Sequence, residues 1–330
     1  MIVRKSFLPR ILILLLSAFI STQGVADQRK VFRIGVIKIA AHAALDADEK
    51  GFEAGLASAG FKEGVNVIYD RQNAQGDMGK ANAIAKKFVD QQVDLIHSIA
   101  TPTTKAVMDV AKEIPVVFSS ITDPVGSQIV PSHSAPGMKT GTNLTGVSDL
   151  WPVFLQMQTY AKFVPEAKRW GTIYNPAEPN SVLHVTEMRK AAKELGLTLV
   201  EAIIASTKEV PQAAASLVGK VDAVAITSDN TAVVDLESIV KVCNENKIPL
   251  FAGDVDSVPR GAVAAYGLDY YLVGYSAGKK AVLILKGTKP GDIPWGPVEK
   301  FSLVINEKAA AEQGVVLSPE LLKRADKVIR

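Results

Sequence analysis

Hydroxyls, amides and carboxylates recur in this sequence directly after short apolar runs. After "VFRIGVIKIA" come His42 and Asp46, and after "VNVIYD" come Gln72, Asn73, Gln75 and Asp77. "VDLIHSIA" runs into Thr101, Thr103 and Thr104, and "IPVVFSSI" carries Ser119 and Ser120 before Thr122 and Asp123. Later runs lead into "YNPAEPNS", "ITSDN" and "AGDVDS", which supply Asn175, Ser181, Asp229, Asn230 and Asp254. Such groups suit reversible capture of a small zwitterion. A carboxylate is well held by the free N–H groups of a helix start beside a Ser or Thr hydroxyl, and "TPTT" and "PNSV" both offer that. An ammonium group needs a carboxylate, for which Asp123, Asp229 and Asp254 are candidates. Tyr174, Trp151 and Tyr266 offer aromatic surface for a ligand side chain.

Each of these has a plainer explanation. Thr101 before Pro102 reads as a helix cap, Asp123 before Pro124 as a turn start, and Asp229 with Asn230 as the cap of the next helix. His42 reads as a lone structural histidine, and Tyr174 as packing. The functional weight comes from their common placement at the ends of apolar runs. Enzymatic constellations do not compete with it. The four histidines show no His-x-x-x-His or Cys–His metal spacing. There is no G-x-x-x-x-G-K-[ST] loop and no G-x-G-x-x-G after the first strand. "GYSAGKK" is one residue short between its glycines. The expectation is a binding protein with no catalytic residue, no metal and no cofactor.

The elements that position these residues follow from periodicity. Strands are expected at residues 31–40, 65–70, 93–100 and 114–121, with helices at 44–60, after Asp77, and at 103–112. A second block repeats the scheme, with strands at 169–175, 197–205, 221–229 and 248–254 and helices at 181–194, 210–218 and 231–246. Such alternation predicts an α/β fold of two doubly wound, parallel-sheet lobes with helices on both faces. In an open parallel sheet, ligands bind beyond the carboxyl ends of the strands, so the strand-end residues of two lobes would line one cleft. "GTNLTGVSDLWPVF", "GAVAAYGLDYYLVG" and "KFSLVINEKAA" read as three crossings between the lobes. Ser318 and Pro319 make a sound helix start near the C-terminus.

A chain of 330 residues accommodates two domains, and 48% hydrophobic with 22% charged residues describes a packed protein. A net charge of +3 argues against nucleic acid as a partner. Arg4, Lys5 and Arg10 precede the apolar "ILILLLSAFI", and Gly24 and Ala26 supply small residues for cleavage. This is the pattern of a secretory signal peptide spanning residues 1–26. The apolar run is half of the roughly 20 residues a membrane-spanning helix needs. Cys243, the single cysteine, forbids an intrachain disulfide and reads as a buried apolar thiol. No cysteine near the cleavage position can take a lipid. A periplasmic, unlipidated protein is expected.

Together, "HAALDADEKGFEAGLASAGFKEGVNV", "YDRQNAQGDM", "IATPTTKAV", "IPVVFSSITDPVG", "NLTGVSD", "IYNPAEPNSV", "SDNT" and "FAGDVDSVPRGAVAAYGLDYYLVG" resemble the substrate-binding proteins of ABC importers of the tryptophan/tyrosine type. The similarity runs from about residue 32 to the C-terminus. It implies a type I periplasmic-binding-protein fold with three crossover strands and a cleft that closes on ligand. The lobes would be 31–147 with 264–297, and 148–263 with 298–330. It also implies amino-acid ligands, often aromatic, a membrane permease as partner, and a monomer. Carried over by motif position, the cleft residues are Gln75, Thr101, Asp123, Asn175, Ser181, Asp229, Asn230 and Asp254. A sensory binding module signalling to a membrane receptor is the alternative. A repressor of similar architecture needs a helix-turn-helix where the signal peptide stands. A secreted hydrolase lacks its constellation.

Overall fold

The computed structural model describes residues 1–2 and 30–330, of which 31–330 form one compact unit. The expected signal peptide, residues 1–26, lies outside the described residues but for residues 1–2. The first stretch of chain runs β1 (Phe32–Lys38), α1 (Ala43–Ser58), β2 (Val67–Asn73), α2 (Met78–Asp90), β3 (Leu95–Ile99), α3 (Thr101–Val110), β4 (Val116–Ile121) and β5 (Leu144–Ser148). It then continues as α4 (Val153–Tyr160), β6 (Arg169–Tyr174), α5 (Pro179–Glu194), β7 (Thr198–Ile203), α6 (Val210–Leu217), β8 (Ala223–Ile226), α7 (Asn230–Val234), α8 (Leu236–Asn246), β9 (Leu250–Asp254) and β10 (Ala264–Leu268). The last elements are α9 (Tyr270–Leu285), β11 (Gly296–Pro297), β12 (Phe301–Asn306), α10 (Glu307–Glu312), α11 (Pro319–Arg324) and β13 (Lys327–Ile329).

The strands form two sheets, ordered β11-β5-β4-β3-β1-β2 and β13-β12-β10-β9-β8-β6-β7. Every pairing is parallel except β10 with β12. The central strands read as unbroken apolar runs because both faces are covered. β3, β4, β8 and β9 are buried along their whole length. The chain passes between sheets after β5, after β10 and after β11. β10 pairs with β9 and β12 in the second sheet, so residues 264–268 belong to the second lobe and not, as expected above, to the first. The cause lies at Asp269, whose side chain accepts from Tyr271 N at 2.9 Å and caps α9. The strand must end before that cap, and the crossing follows it.

α9 returns to the first lobe and packs along α1. A Cβ at Gly51 would lie 2.0 Å from Tyr271 O, and one at Gly274 would lie 1.8 Å from Asp48 O. The two backbones therefore touch, and α1 holds the returning segment rigidly on the first sheet. Several helix boundaries differ from the sequence expectation, two of them beside the cleft. α3 begins at Thr101 and not at 103, and the expected helix 231–246 is broken into α7 and α8 at Asp235. Cys243 is buried as expected, and burial pushes its thiol up to about 12.

Candidate functional site

The carboxyl ends of the strands of both sheets converge on a narrow cavity. His42, Ala100, Ser120 and Thr122 line it from the first lobe, and Asn180, Ser228, Asn230 and Asp254 from the second. Asp149, Trp151 and Tyr270 reach it from the crossing segments. An outer groove of about 390 Å³ lies beside it, with Asn230 in the wall of both.

On the first lobe, the turn from β3 into α3 is strained. Ala100 has φ 79° and ψ 156°, a region almost reserved for glycine. Ser120, at the end of β4, has φ 56°. Its hydroxyl donates to the buried Asp48, which also accepts from Ser119 Oγ at 2.9 Å. Burial pushes the Asp48 carboxyl up to about 7. Thr101 is not the cap expected from sequence: it is the first helical residue, and Ala100 occupies the cap position. Thr101 Oγ1 is buried with no hydrogen-bond partner among the described residues. The neighbouring threonines are spoken for locally. Thr103 Oγ1 donates to Ile99 O at 2.5 Å, and Thr104 Oγ1 contacts Ser98 Oγ at 2.9 Å.

The cavity carries two carboxylates. Asp149 accepts from Thr122 Oγ1 at 3.1 Å and from the Tyr270 hydroxyl at 2.5 Å, and burial pushes it up to about 6. Asp254 accepts from Ser257 N at 2.8 Å and Ser257 Oγ at 2.9 Å, and burial raises it as well. Among the described residues, no Lys or Arg lines this cavity, and neither acid has an ion-pair partner. Arg260 offsets the Asp254 charge only from a distance, and buried negative charge so weakly compensated suits a cationic ligand group. Trp151 forms an aromatic wall. It stacks on His184, with centroids 4.6 Å apart, and lies so close over Gly253 that a Cβ there would be 1.8 Å from its ring.

The second lobe meets the first at Asn230. Glu178, buried at the start of α5, accepts from Asn230 N at 3.0 Å and Asn230 Nδ2 at 2.6 Å. It also accepts from Thr231 N at 2.9 Å and Thr231 Oγ1 at 2.7 Å. Asn230 Oδ1 then faces His42 Nε2 across the cleft at 3.2 Å.

The residues selected from sequence are divided by this geometry. Asp254 and Asn230 line the cavity, while Gln75 and Asn175 line the outer groove. Asp229 does neither, which corrects the expectation of an ammonium partner there. Its Oδ1 caps α7 through Ala232 N at 2.7 Å, and its Oδ2 accepts from Asn175 N at 2.6 Å and Ser181 Oγ at 2.7 Å. Ser181 is turned inward by that bond, away from the cavity. Asp123 accepts from Gly126 N at 2.7 Å in a tight turn outside both spaces. Tyr174 points its hydroxyl at Glu201, 3.0 Å away, and Tyr266 lies by Phe301, so only Trp151 of the three aromatic candidates reaches the site.

Asp149, Tyr270 and Asn180 were not selected, and His42 was read as structural. Asp149 and Tyr270 obey the rule that placed the others, since each follows the carboxyl end of a strand. Their segments read as connections from periodicity alone, which hides that they also carry strand ends. Asn180 sits beside Ser181 at the start of α5. One residue of helix rotates a side chain by about 100°, which turns Asn180 to the cavity and Ser181 to the interior.

The sequence profile described as "ABC transporter substrate binding protein" matches residues 33–329. The chain belongs to this family. A tyrosine-binding protein of Clostridioides difficile is 39% identical over 281 residues, 85% of this chain and 80% of that protein. A crystal structure described as an ABC domain of Streptococcus pneumonia in complex with L-Trp superposes with a TM-score of 0.85 at 33% identity, covering 91% of this chain and all of that one. A ligand-free, open substrate binding protein from Clostridium difficile gives 0.66 at 34% identity, with 91% and 99% coverage. Identity and coverage differ by no more than one per cent between the two, so the lobes of this substrate-binding protein stand closer to their disposition in the L-Trp complex than to the open one. Its relatives are solute-binding proteins, and among its described residues no helix is long and apolar enough to cross a membrane.

Proposed function

We propose that this substrate-binding protein captures an aromatic amino acid in the cavity between its lobes and presents it to the membrane permease of an ABC importer. The observation that carries this reading is the pair of buried carboxylates, Asp149 and Asp254, with no protein cation among the cavity-lining residues. The ligand's ammonium supplies the missing charge. Its carboxylate meets the free N–H groups at the start of α3, where Thr101 Oγ1 is unpaired. Its ring packs on Trp151, with Leu45 and Val233 beside it. A relative that binds tyrosine and a neighbour holding L-Trp support an aromatic side chain.

Binding is coupled to closure because the ligand touches both lobes. A ligand that contacts two bodies stabilises the arrangement in which both contacts exist, and it shifts the population by that difference in affinity. The site residues on this reading are His42, Thr101, Ser120, Asp149, Trp151, Asn180, Asn230, Asp254 and Tyr270. None is assigned a catalytic role. The leader places the protein in the periplasm after cleavage, and the permease reads the closed form. Denaturing freshly purified protein and identifying the released small molecule by mass spectrometry tests the ligand class. An aromatic amino acid is expected. A sugar, or an acid without an amino group, contradicts the reading.

A further inference from the structure

Two neutral acceptors in the cavity wall have one end fixed and the other unused. The first is His42. Glu178 Oε2 accepts the backbone N–H of Asn230 and takes its side-chain Nδ2 at 2.6 Å, which fixes the amide with Oδ1 toward His42. An amide oxygen only accepts, so His42 Nε2 must carry the proton of the neutral ring. Nδ1 is then a bare acceptor. It is buried and has no partner among the described residues. The second is Asn180. Its Nδ2 donates to Ser228 O at 2.8 Å, a carbonyl that can only accept, and this fixes Oδ1 as the free end. That atom too is buried with no partner among the described residues. Both residues are less than a tenth exposed, and both line the cavity that holds Asp149 and Asp254.

A buried acceptor left unpaired is costly to the fold. Two of them, on opposite lobes and beside two weakly compensated acids, form a surface complementary to a group that is positive and donates several hydrogen bonds. We propose that His42 Nδ1 from the first lobe and Asn180 Oδ1 from the second each accept an N–H of the ligand's ammonium group, so that this one group is read from both lobes. The inference rests on the ligand having an ammonium, as proposed above, and adds which neutral groups recognise it. It also makes His42 the residue at which ligand recognition and lobe contact meet. Its Nδ1 faces the ligand while its Nε2 donates to Asn230.

The test is calorimetric titration of the wild-type protein, His42→Phe and Asn180→Ala with L-tyrosine, L-tryptophan, their des-amino acids, and tyramine and tryptamine. Each substitution is expected to weaken the amino acids by about fivefold or more while leaving the des-amino acids within about twofold. Equal losses for both kinds of ligand, or no loss, overturn the proposal. If amines bind in a His42-dependent way and amino acids do not, this inference stands and the amino-acid reading falls. Binding of neither amino acids nor amines overturns both. Nitrogen-15 spectra of the histidine rings in the wild-type protein give a check that does not depend on the variants folding. His42 must show the Nε2–H tautomer, and its Nδ1 resonance must move when ligand is added. A proton on Nδ1 contradicts the proposal.

Discussion

His42 Nε2 and Asn230 Oδ1 lie 3.2 Å apart across the cleft, joining residues 188 positions apart in the chain. The bond exists only while the lobes are together, and Glu178 aims the amide that makes it. Asn230→Ala removes the bridge but leaves the backbone N–H groups of Asn230 and Thr231 on Glu178. A loss of about 1.4 kcal/mol of ligand affinity, tenfold, is expected. Small-angle scattering should show a larger radius of gyration at subsaturating ligand. Unchanged affinity means that the bridge contributes nothing to closure.

Asp254 and Asp229 should separate binding from stability. Asp254→Ala removes a carboxylate from the cavity wall and should weaken ligand binding by at least about tenfold. Asp229→Ala leaves Asn175 N, Ser181 Oγ and Ala232 N without their acceptor and should cost about 2–3 kcal/mol of folding stability. Urea unfolding and calorimetry on both variants check the pair. If Asp229→Ala weakens binding with no change in stability, the structural role assigned to it is wrong.

Acid should weaken binding. Burial holds the His42 ring down to about 4 in the closed protein, with Arg260 and Lys38 opposing its charge and Asp46 favouring it. Opening returns it to water, where imidazole titrates near about 6.5. Between those values the open form takes a proton that the closed form refuses, so closure loses free energy as pH falls through this window. Asp149, pushed up to about 6 in the empty cavity, adds a change of the same sign when a ligand cation keeps it ionised. Dissociation constants measured between about pH 7.5 and about pH 5.5 should rise on acidification, and His42→Phe should flatten that rise. Tighter binding at the lower pH contradicts the assignment.

Ala100 stands at φ 79° and ψ 156° without being glycine. Such a residue stores about 1–3 kcal/mol, and glycine returns part of that through its greater freedom in the unfolded chain. Ala100→Gly should raise unfolding stability by about 1 kcal/mol, read as a higher denaturant midpoint at unchanged slope. Lower stability would show that the turn is not strained.

Fold class was legible because strand and helix periods alternate cleanly, and caps such as Asp77 and Ser318 stand where the sequence puts them. Asp254 and Asn230 were legible for the same reason, since strand ends are where a parallel sheet gathers polar groups. What periodicity does not carry is the direction of a side chain at a loop or cap. Asp229 and Asp254 both follow second-lobe strands and both cap the turn after them, yet only Asp254 also lines the cavity. Local sequence is alike at both, and the distinction arises from Asn175 and Ser181, which lie about 50 residues away. Asp149 and Tyr270 were obscured by the crossings. A segment that looks like a connection between lobes is, at the hinge of a cleft, also its wall.

Calorimetric titration of ligand-stripped protein with L-tyrosine and L-tryptophan, beside a panel of sugars and des-amino acids, addresses the central claim most directly. One-to-one binding of at least one aromatic amino acid at micromolar affinity or tighter, about −8 kcal/mol, is predicted, with no heat from the sugars. Saturable binding of a sugar, or of the des-amino acid as tightly as of the amino acid, would contradict it.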